Sequence, residues 1–252
     1  EFDATVLDSF PFADGFATVL DRTCFFPEAG GQPGDTGVID EVKVFDTQIN
    51  DGTVYHYTEK QFKTGQKVHG KIDFDRRFDF MQQHSGEHIV SGIAHRLYGC
   101  ENVGFHLSED IVTLDFQKLL NRSEILKIET EANEAIFKNR KFTAYYPDSK
   151  TLATLNYRSK KELSGDVRIV EIENTDICAC CAPHVNYASE IGIIKLLDAE
   201  KIRGGIRLQM KCGKRALADY NQKYDNVRKI SALLAVKQSD TASGVAKLLK
   251  NI

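Results

Sequence analysis

No run of about 18 apolar residues occurs anywhere in the 252-residue chain, so no helix of it is expected to cross a membrane. Its first residues, Glu1-Phe2-Asp3, lack the charged-then-apolar pattern of a secretion signal, and without an initiator Met the start reads as trimmed. Internal repeats and low-complexity tracts are missing as well. Disulfides lack support too. Three of the six cysteines crowd into Cys178-Ala179-Cys180-Cys181, too close together to staple distant loops. Without a secretion signal, free thiols or metal ligands are expected instead. For the same reason the sequon Asn121-Arg122-Ser123 carries no weight. These absences together point to the cytoplasm.

What is present is ordinary globular composition, 42% hydrophobic and 27% charged, enough for one large or two modest domains to bury a core. A net charge of −3 excludes a polycation. The charge is uneven, however. Lys201, Arg203, Arg207, Lys211, Lys214 and Arg215 follow one another with no carboxylate between them. A solvated face and a local seat for phosphates both fit that pattern.

The pattern along the chain changes twice. Residues 1–76 read as short strands, Ala17–Leu20, Val38–Ile39, Val42–Phe45 and Val54–Tyr57, cut by Asp14-Gly15, Gly30-Gly31, Asp51-Gly52 and Gly65. Many short strands with glycine turns suggest a small β-barrel or a sandwich, of which the barrel is the expected form. Residues 77–215 mix helices and strands without a strict βαβ repeat, which makes the chain α+β. Arg77 to about Tyr98 has helical spacing with Gly99 as its stop, and Asn121 with Glu124 resembles a capping box opening a helix to about Asn139. Strands are expected at 112–116, 142–146, 167–172 and 191–197. Residues 216–252 read as a helical extension in which Leu217, Tyr220, Tyr224, Val227 and Leu234 form one apolar face. A packed core is the simpler account of that face. A partner helix, and hence a homo-oligomer, is the other. The chain ends within a further apolar-periodic stretch, so another domain is expected beyond it.

The chemistry concentrates in two pairs. His84 and His88 lie four residues apart in the expected helix, so both imidazoles face one side. One such pair is more often plain surface or core. Cys180 and His184 have the same offset, but Pro183 makes a loop there rather than a helix. Two imidazoles, a thiolate and a third imidazole are donors that zinc prefers, and four fill a tetrahedron. A buried inert thiol is the bland alternative for Cys180. Two pairs about a hundred residues apart raise the joint reading above it, and Zn2+ is the expected ion. Four protein ligands would close a structural ion, whereas a catalytic one keeps a position open. Glu87, between the histidines, is a candidate general base. His84-Ser85-Gly86-Glu87-His88 also fits the inverzincin peptidase signature, although such enzymes take a glutamate as third ligand.

Four segments together resemble the editing domain of alanyl-tRNA synthetase and its free-standing AlaX-type relatives. They are Phe26-Pro27-Glu28-Ala29-Gly30-Gly31-Gln32-Pro33-Gly34-Asp35-Thr36-Gly37, similar to a glycine-rich loop of the family's barrel; Gln83 to His88; Val103-Gly104-Phe105-His106-Leu107 leading into Val112–Phe116; and Asp166–Ile172 running into Cys180 and His184. The resemblance spans nearly the whole chain. One departure is Cys181-Ala182-Pro183 where the family often has Gly-Gly-Thr. The resemblance implies hydrolysis in trans, without ATP, of the ester joining serine, and also glycine, to a tRNA meant for alanine. It implies tRNA contacts at Gly30, Gly31, Gln32, Lys201, Arg203, Arg207 and Lys211.

A size sieve that admits serine cannot exclude the smaller alanine. Selectivity must come from a buried polar group that pairs with the serine hydroxyl. Gln32, His106 and Thr113 are the candidates, each in a family-like segment. The Gly30-Gly31-Gln32 loop is accordingly expected beside the metal ligands, because paired glycines let a backbone approach closely. The rival readings are the zinc peptidase and a non-catalytic tRNA-binding module with a structural zinc.

Overall fold

The computed structural model describes residues 1–159 and 165–250. Six strands, β1 (Phe2–Phe12), β2 (Gly15–Leu20), β3 (Gly37–Ile39), β4 (Val42–Asn50), β5 (Thr53–Thr58) and β6 (Lys67–Ile72), close into a barrel in the order β1-β2-β5-β4-β3-β6. Closure removes the exposed sheet edges that open β-structure would leave. Ala4, Val6, Leu20, Phe25, Ile39, Val44, Phe62 and Val68 fill one end of the interior. The rest is polar and internally satisfied. Ser9, Thr18 and Thr58 link hydroxyl to hydroxyl, and His56 bonds the Thr18 carbonyl and the Thr23 hydroxyl. The sequence pattern did not reveal β1 or β6, whose long polar-interrupted runs carry little periodic signal.

Asp73 caps α1 (Phe74–Tyr98), which begins three residues before the expected Arg77 and ends at Gly99 in the left-handed conformation. After it come β7 (Asn102–Leu107), β8 (Val112–Phe116), α2 (Arg122–Phe137), β9 (Phe142–Tyr145) and α3 (Ser149–Thr154). Next are β10 (Ile169–Ile172), β11 (Asp176–Ala179), β12 (Ile194–Ile202), β13 (Gly205–Cys212), α4 (Gly213–Leu234) and α5 (Thr241–Lys250). The capping box at Asn121 and Glu124 is complete in both directions. The body is thus mixed α+β, with a four-stranded sheet β12-β13-β8-β7 and a three-stranded sheet β11-β10-β9. The cation run of 201–215 is largely the β12–β13 hairpin.

Helix α1 is the axis of the body. Gln82 to Ala94 are all buried, so its middle is enclosed on every side rather than on one face. Its buried amides are used as brackets. Gln83 donates to the Cys212 carbonyl and accepts from the Cys212 amide, while Gln82 donates to Glu190 O. The start of α1 also fastens the barrel. Arg77 forks onto Asp35 and reaches Cys24 O, and Arg76 donates to Gly34 O at 2.8 Å. The face of α4 simply read as core is open instead. Leu217, Tyr220 and Tyr224 are exposed, and only Ala216 of α4 is buried. None of the described helices is long and apolar enough to cross a membrane.

Burial in the barrel pushes the His56 imidazole below its ordinary value, partly countered by its bond to the Thr18 carbonyl. The neutral ring is therefore the folded form. Stability is full above the unfolded histidine value, about 6.5, and falls as pH drops below it because only the unfolded chain takes the proton freely. The slope from this one group is at most about 1.4 kcal/mol per pH unit. Urea unfolding of wild type and His56→Gln at pH 7.5 and 5.5 checks this. The wild type should lose more stability than the variant on acidification, and equal losses would exclude His56 as the source.

Candidate metal and substrate site

Three elements deliver the ligand side chains. His84 and His88 come from the enclosed middle of α1, Cys180 follows β11, and His184 lies on the loop after it. One ligand atom from each of the four lies within 4.8 Å of those from the others. Cys180 Sγ is 3.6 Å from His84 Nε2 and 3.4 Å from His184 Nε2. The imidazoles pack edge to face, with the rings of His88 and His184 4.5 Å apart. The two pairs expected from spacing thus meet at one point.

The outward nitrogens of His84 and His184 are hydrogen-bonded, as at a metal centre, whereas that of His88 makes no hydrogen bond among the described residues. His84 Nδ1 donates to Gln32 Oε1 at 2.9 Å, and because an amide oxygen only accepts, Nε2 is left for the cluster. His184 Nδ1 bonds Ser85 Oγ at 3.0 Å, and Ser85 also accepts from the Val185 amide. His88 Nδ1 lies 3.5 Å from Asp176 Oδ2. Burial opposes ionisation of Cys180, but the neighbouring imidazoles overcome it and hold the thiol far below its ordinary range. Burial and repulsion from His88 press His184 down to about 3. A thiolate and a neutral imidazole are the ligating forms, so the donor set fits zinc. His88, Asp176 and Cys178 form a second group of close donors. It is the poorer cation seat, because Arg158 occupies both Asp176 oxygens and burial pushes the Cys178 thiol up.

The glycine loop between β2 and β3 reaches this cluster from the barrel. Gln32 is completely buried against His84. Gly30 and Gly31 line a cavity of about 520 Å³ together with His84, His88, Phe105, Tyr146, Arg168, Cys180 and Cys181. Arg168 also donates to the Cys180 and Ala182 carbonyls, fixing the ligand loop. Phe105 and Arg168 stood in the family-like segments, but nothing in their spacing marked them. Tyr146, Arg158 and Asp176 carried no signal at all.

The other expected site residues lie elsewhere. Inward positions of β8 and β13 (Val112, Leu114, Leu208, Met210) are buried, so Thr113 takes the opposite face, and His106 pairs with it across β7. Neither lines the cavity: the strand phase that turns Phe105 toward His84 turns His106 away. Glu87 is fully buried. Its Oε1 accepts from Ser91 and Asn102, its Oε2 is 3.8 Å from His88 Nε2, and it does not line the cavity. Lys201 and Arg203 are exposed at the hairpin end, Lys211 is half-buried, and Arg207 forks onto Asp115 at 2.7 Å through both nitrogens.

Two family models match the chain. One, tRNA synthetases class II (A), covers residues 6–76, and the other, Threonyl and Alanyl tRNA synthetase second additional domain, covers residues 167–208. The chain is 32% identical to alanyl-tRNA editing protein AlaX-L of Pyrococcus horikoshii over 88% of its length and 57% of the relative's. It is 33% identical to alanyl-tRNA editing protein Aarsd1-A of Xenopus laevis over 94% of its length and 59% of the relative's. It is thus similar along most of its length to alanyl-tRNA editing proteins. An alanine–tRNA ligase of Ignicoccus hospitalis is 31% identical over 100% of this chain and 29% of the ligase. The chain therefore spans a little under three fifths of these editing proteins and under a third of the ligase. The matches include the barrel as well as the body, in keeping with a site to which the barrel lends Gln32.

A side chain at Gly31 would meet the Phe105 ring at 2.8 Å and its carbonyl at 3.0 Å, on a backbone with φ of 81°. Gly52 has a similar φ of 76° but nothing within 4 Å. Gly52→Ala should cost only the left-handed strain, about 1 kcal/mol or somewhat more. Gly31→Ala should cost clearly more, since the loop must also retreat from the cluster. Urea midpoints of the two variants decide this, and equal losses would mean that the close approach is not required.

Proposed function

We propose that this chain hydrolyses, in trans, the ester of mischarged aminoacyl-tRNA, seryl- and also glycyl-tRNA(Ala), at a zinc centre formed by His84, His88, Cys180 and His184. The observation that carries the reading is a three-imidazole, one-thiolate cluster at the wall of a cavity, in a chain related along nearly all its length to alanyl-tRNA editing proteins. Zinc at these donors would hold and polarise the aminoacyl end of the substrate.

The chain's own groups do the rest. The Gly30-Gly31 backbone lets the tRNA 3′ end come close, and Phe105 and Tyr146 offer apolar walls to it. Lys201, Arg203 and Lys211 take phosphates, while Arg207 contributes less because Asp115 already offsets its charge. Of the three groups considered for reading the serine hydroxyl, we favour Gln32, which does not itself line the cavity but is hydrogen-bonded to His84, which does. Its Oε1 is spent on His84, and its Nε2 is a buried donor without a hydrogen-bond partner among the described residues. With serine bound that donor is satisfied, and with alanine it is stranded. The exposed Leu217, Tyr220 and Tyr224 face of α4 is our proposed surface for self-association.

The peptidase reading needs Glu87 at a water in the cavity. Its burial and its bonds to Ser91 and Asn102 favour the editing reading. Zinc-loaded protein should deacylate seryl-tRNA(Ala), spare alanyl-tRNA(Ala) and leave a peptide library intact, and a chelator should stop the reaction. Absence of seryl-ester turnover by the zinc-loaded protein refutes the proposal, and binding without turnover would leave the tRNA-binding module. In Gln32→Ala the preference for seryl over alanyl ester should drop roughly 5- to 150-fold, matching the ~1–3 kcal/mol of a stranded buried donor, with zinc content unchanged. Neutralising Lys201, Arg203 and Lys211 together should weaken tRNA binding and flatten its salt dependence without altering that preference.

A further inference from the structure

Beside His88 lies a pair of buried charges. Arg158 Nε and Nη2 fork onto Asp176 Oδ1 and Oδ2, both at 2.7 Å, with side-chain exposures of 9% and 3%. Asp176 Oδ2 in turn stands 3.5 Å from His88 Nδ1. The carboxylate can come this near because of a glycine on the same helix, one turn on. A side chain at Gly92 would meet Asp176 Cβ at 2.6 Å and Thr175 O at 2.8 Å.

The main chain of Arg158 has a second attachment. Its amide donates to Ile177 O at 2.8 Å, and its carbonyl accepts from the Ala179 amide at 3.0 Å. Arg158 thus runs as a short parallel partner of β11, the strand whose next residue is Cys180. One residue therefore braces two ligands from different parts of the chain, His88 through Asp176 and Cys180 through the strand.

We propose that Arg158 and Asp176 are a positioning pair for the metal centre: Asp176, held immobile by the Arg158 fork, is the acceptor toward which His88 turns Nδ1–H when the ion is bound, and so commits Nε2 to the ion. This rests on the zinc reading of the site. Gln32 and Ser85 do the same for His84 and His184 with neutral acceptors. Among the described residues, His88 alone of the three has a carboxylate facing its outer nitrogen. Arg158 orders the carboxylate in two dimensions, as a planar fork does and a lysine ammonium does not.

The test measures metal binding apart from turnover. Zinc affinity is taken by competition with a chromophoric chelator, and ligand geometry from the visible spectrum of the Co2+-substituted protein. Asp176→Asn should weaken zinc by about 10- to 100-fold and alter the cobalt spectrum. Arg158→Lys should show a smaller change in the same direction. Because Asp176→Asn leaves a buried guanidinium without its carboxylate, the double variant Asp176→Asn/Arg158→Gln is made as well. It strands no charge, and its zinc affinity should match that of Asp176→Asn, since the two residues act as one unit. Wild-type affinity and cobalt spectrum in a folded Asp176→Asn or double variant would overturn the proposal while leaving the zinc centre standing. If the wild-type protein itself takes up no zinc, the metal reading falls and this inference with it.

Discussion

Four polar side chains have been brought together, two of them buried and two partly buried, and much of the architecture follows from that demand. An imidazole or thiol buried without a partner costs free energy that a marginally stable domain cannot spare. The surroundings accordingly supply partners one by one: Gln32 from the barrel, Ser85 from the same helix, Asp176 from β11. Each partner then needs its own support. Asp176 has Arg158, and the loop that carries Gln32 is pinned through Asp35 to Arg77. The requirement propagates outward until it reaches backbone groups or solvent.

This explains why α1 has so little amphipathic contrast. A helix that only packed against a sheet would keep polar residues outside. Here Gln82, Gln83, His84, Ser85, Glu87, His88 and Ser91 are all buried, because the helix is enclosed by the glycine loop on one side and by β11 and β13 on others. The barrel is part of the same arrangement, since the amide that orders His84 belongs to it.

The parts legible in sequence were those with local causes. Gly99 as a helix stop, Asn121 with Glu124 as a cap, and the equal offsets of His84/His88 and Cys180/His184 each rest on a few neighbouring residues. The extent of α1 beyond Arg77 was nearly so, with Asp73 as the cap that the apolar spacing alone passed over. Arg158 and Asp176 could not be read, because an ion pair 18 residues apart with no periodic relation leaves no trace in one sequence. His106 and Thr113 are a different case. A family-like segment identifies a strand near the site, but side-chain direction alternates along it, and the resemblance did not carry the phase. Phe105, one residue earlier, is the side chain that faces His84.

Glu87 marks the same limit on chemistry. The letters His84-Ser85-Gly86-Glu87-His88 fit a peptidase signature as well as an editing one, and a helix puts Glu87 roughly a quarter-turn away from His88 in either case. What differs is the neighbour that receives the carboxylate. Here Ser91, one turn further along, and Asn102, at the start of β7, both donate to Oε1, at 2.6 and 2.7 Å, and Asn102 also donates to Ser91 at 2.9 Å. A carboxylate so engaged ties α1 to β7, and β7 is the strand that carries Phe105 to the cavity. The residue that a motif alone would nominate as a base thereby becomes part of the frame that fixes the cavity wall. The third donor, which a peptidase would take from a glutamate, is here matched by the loop after β11, which brings both Cys180 and His184 to the cluster.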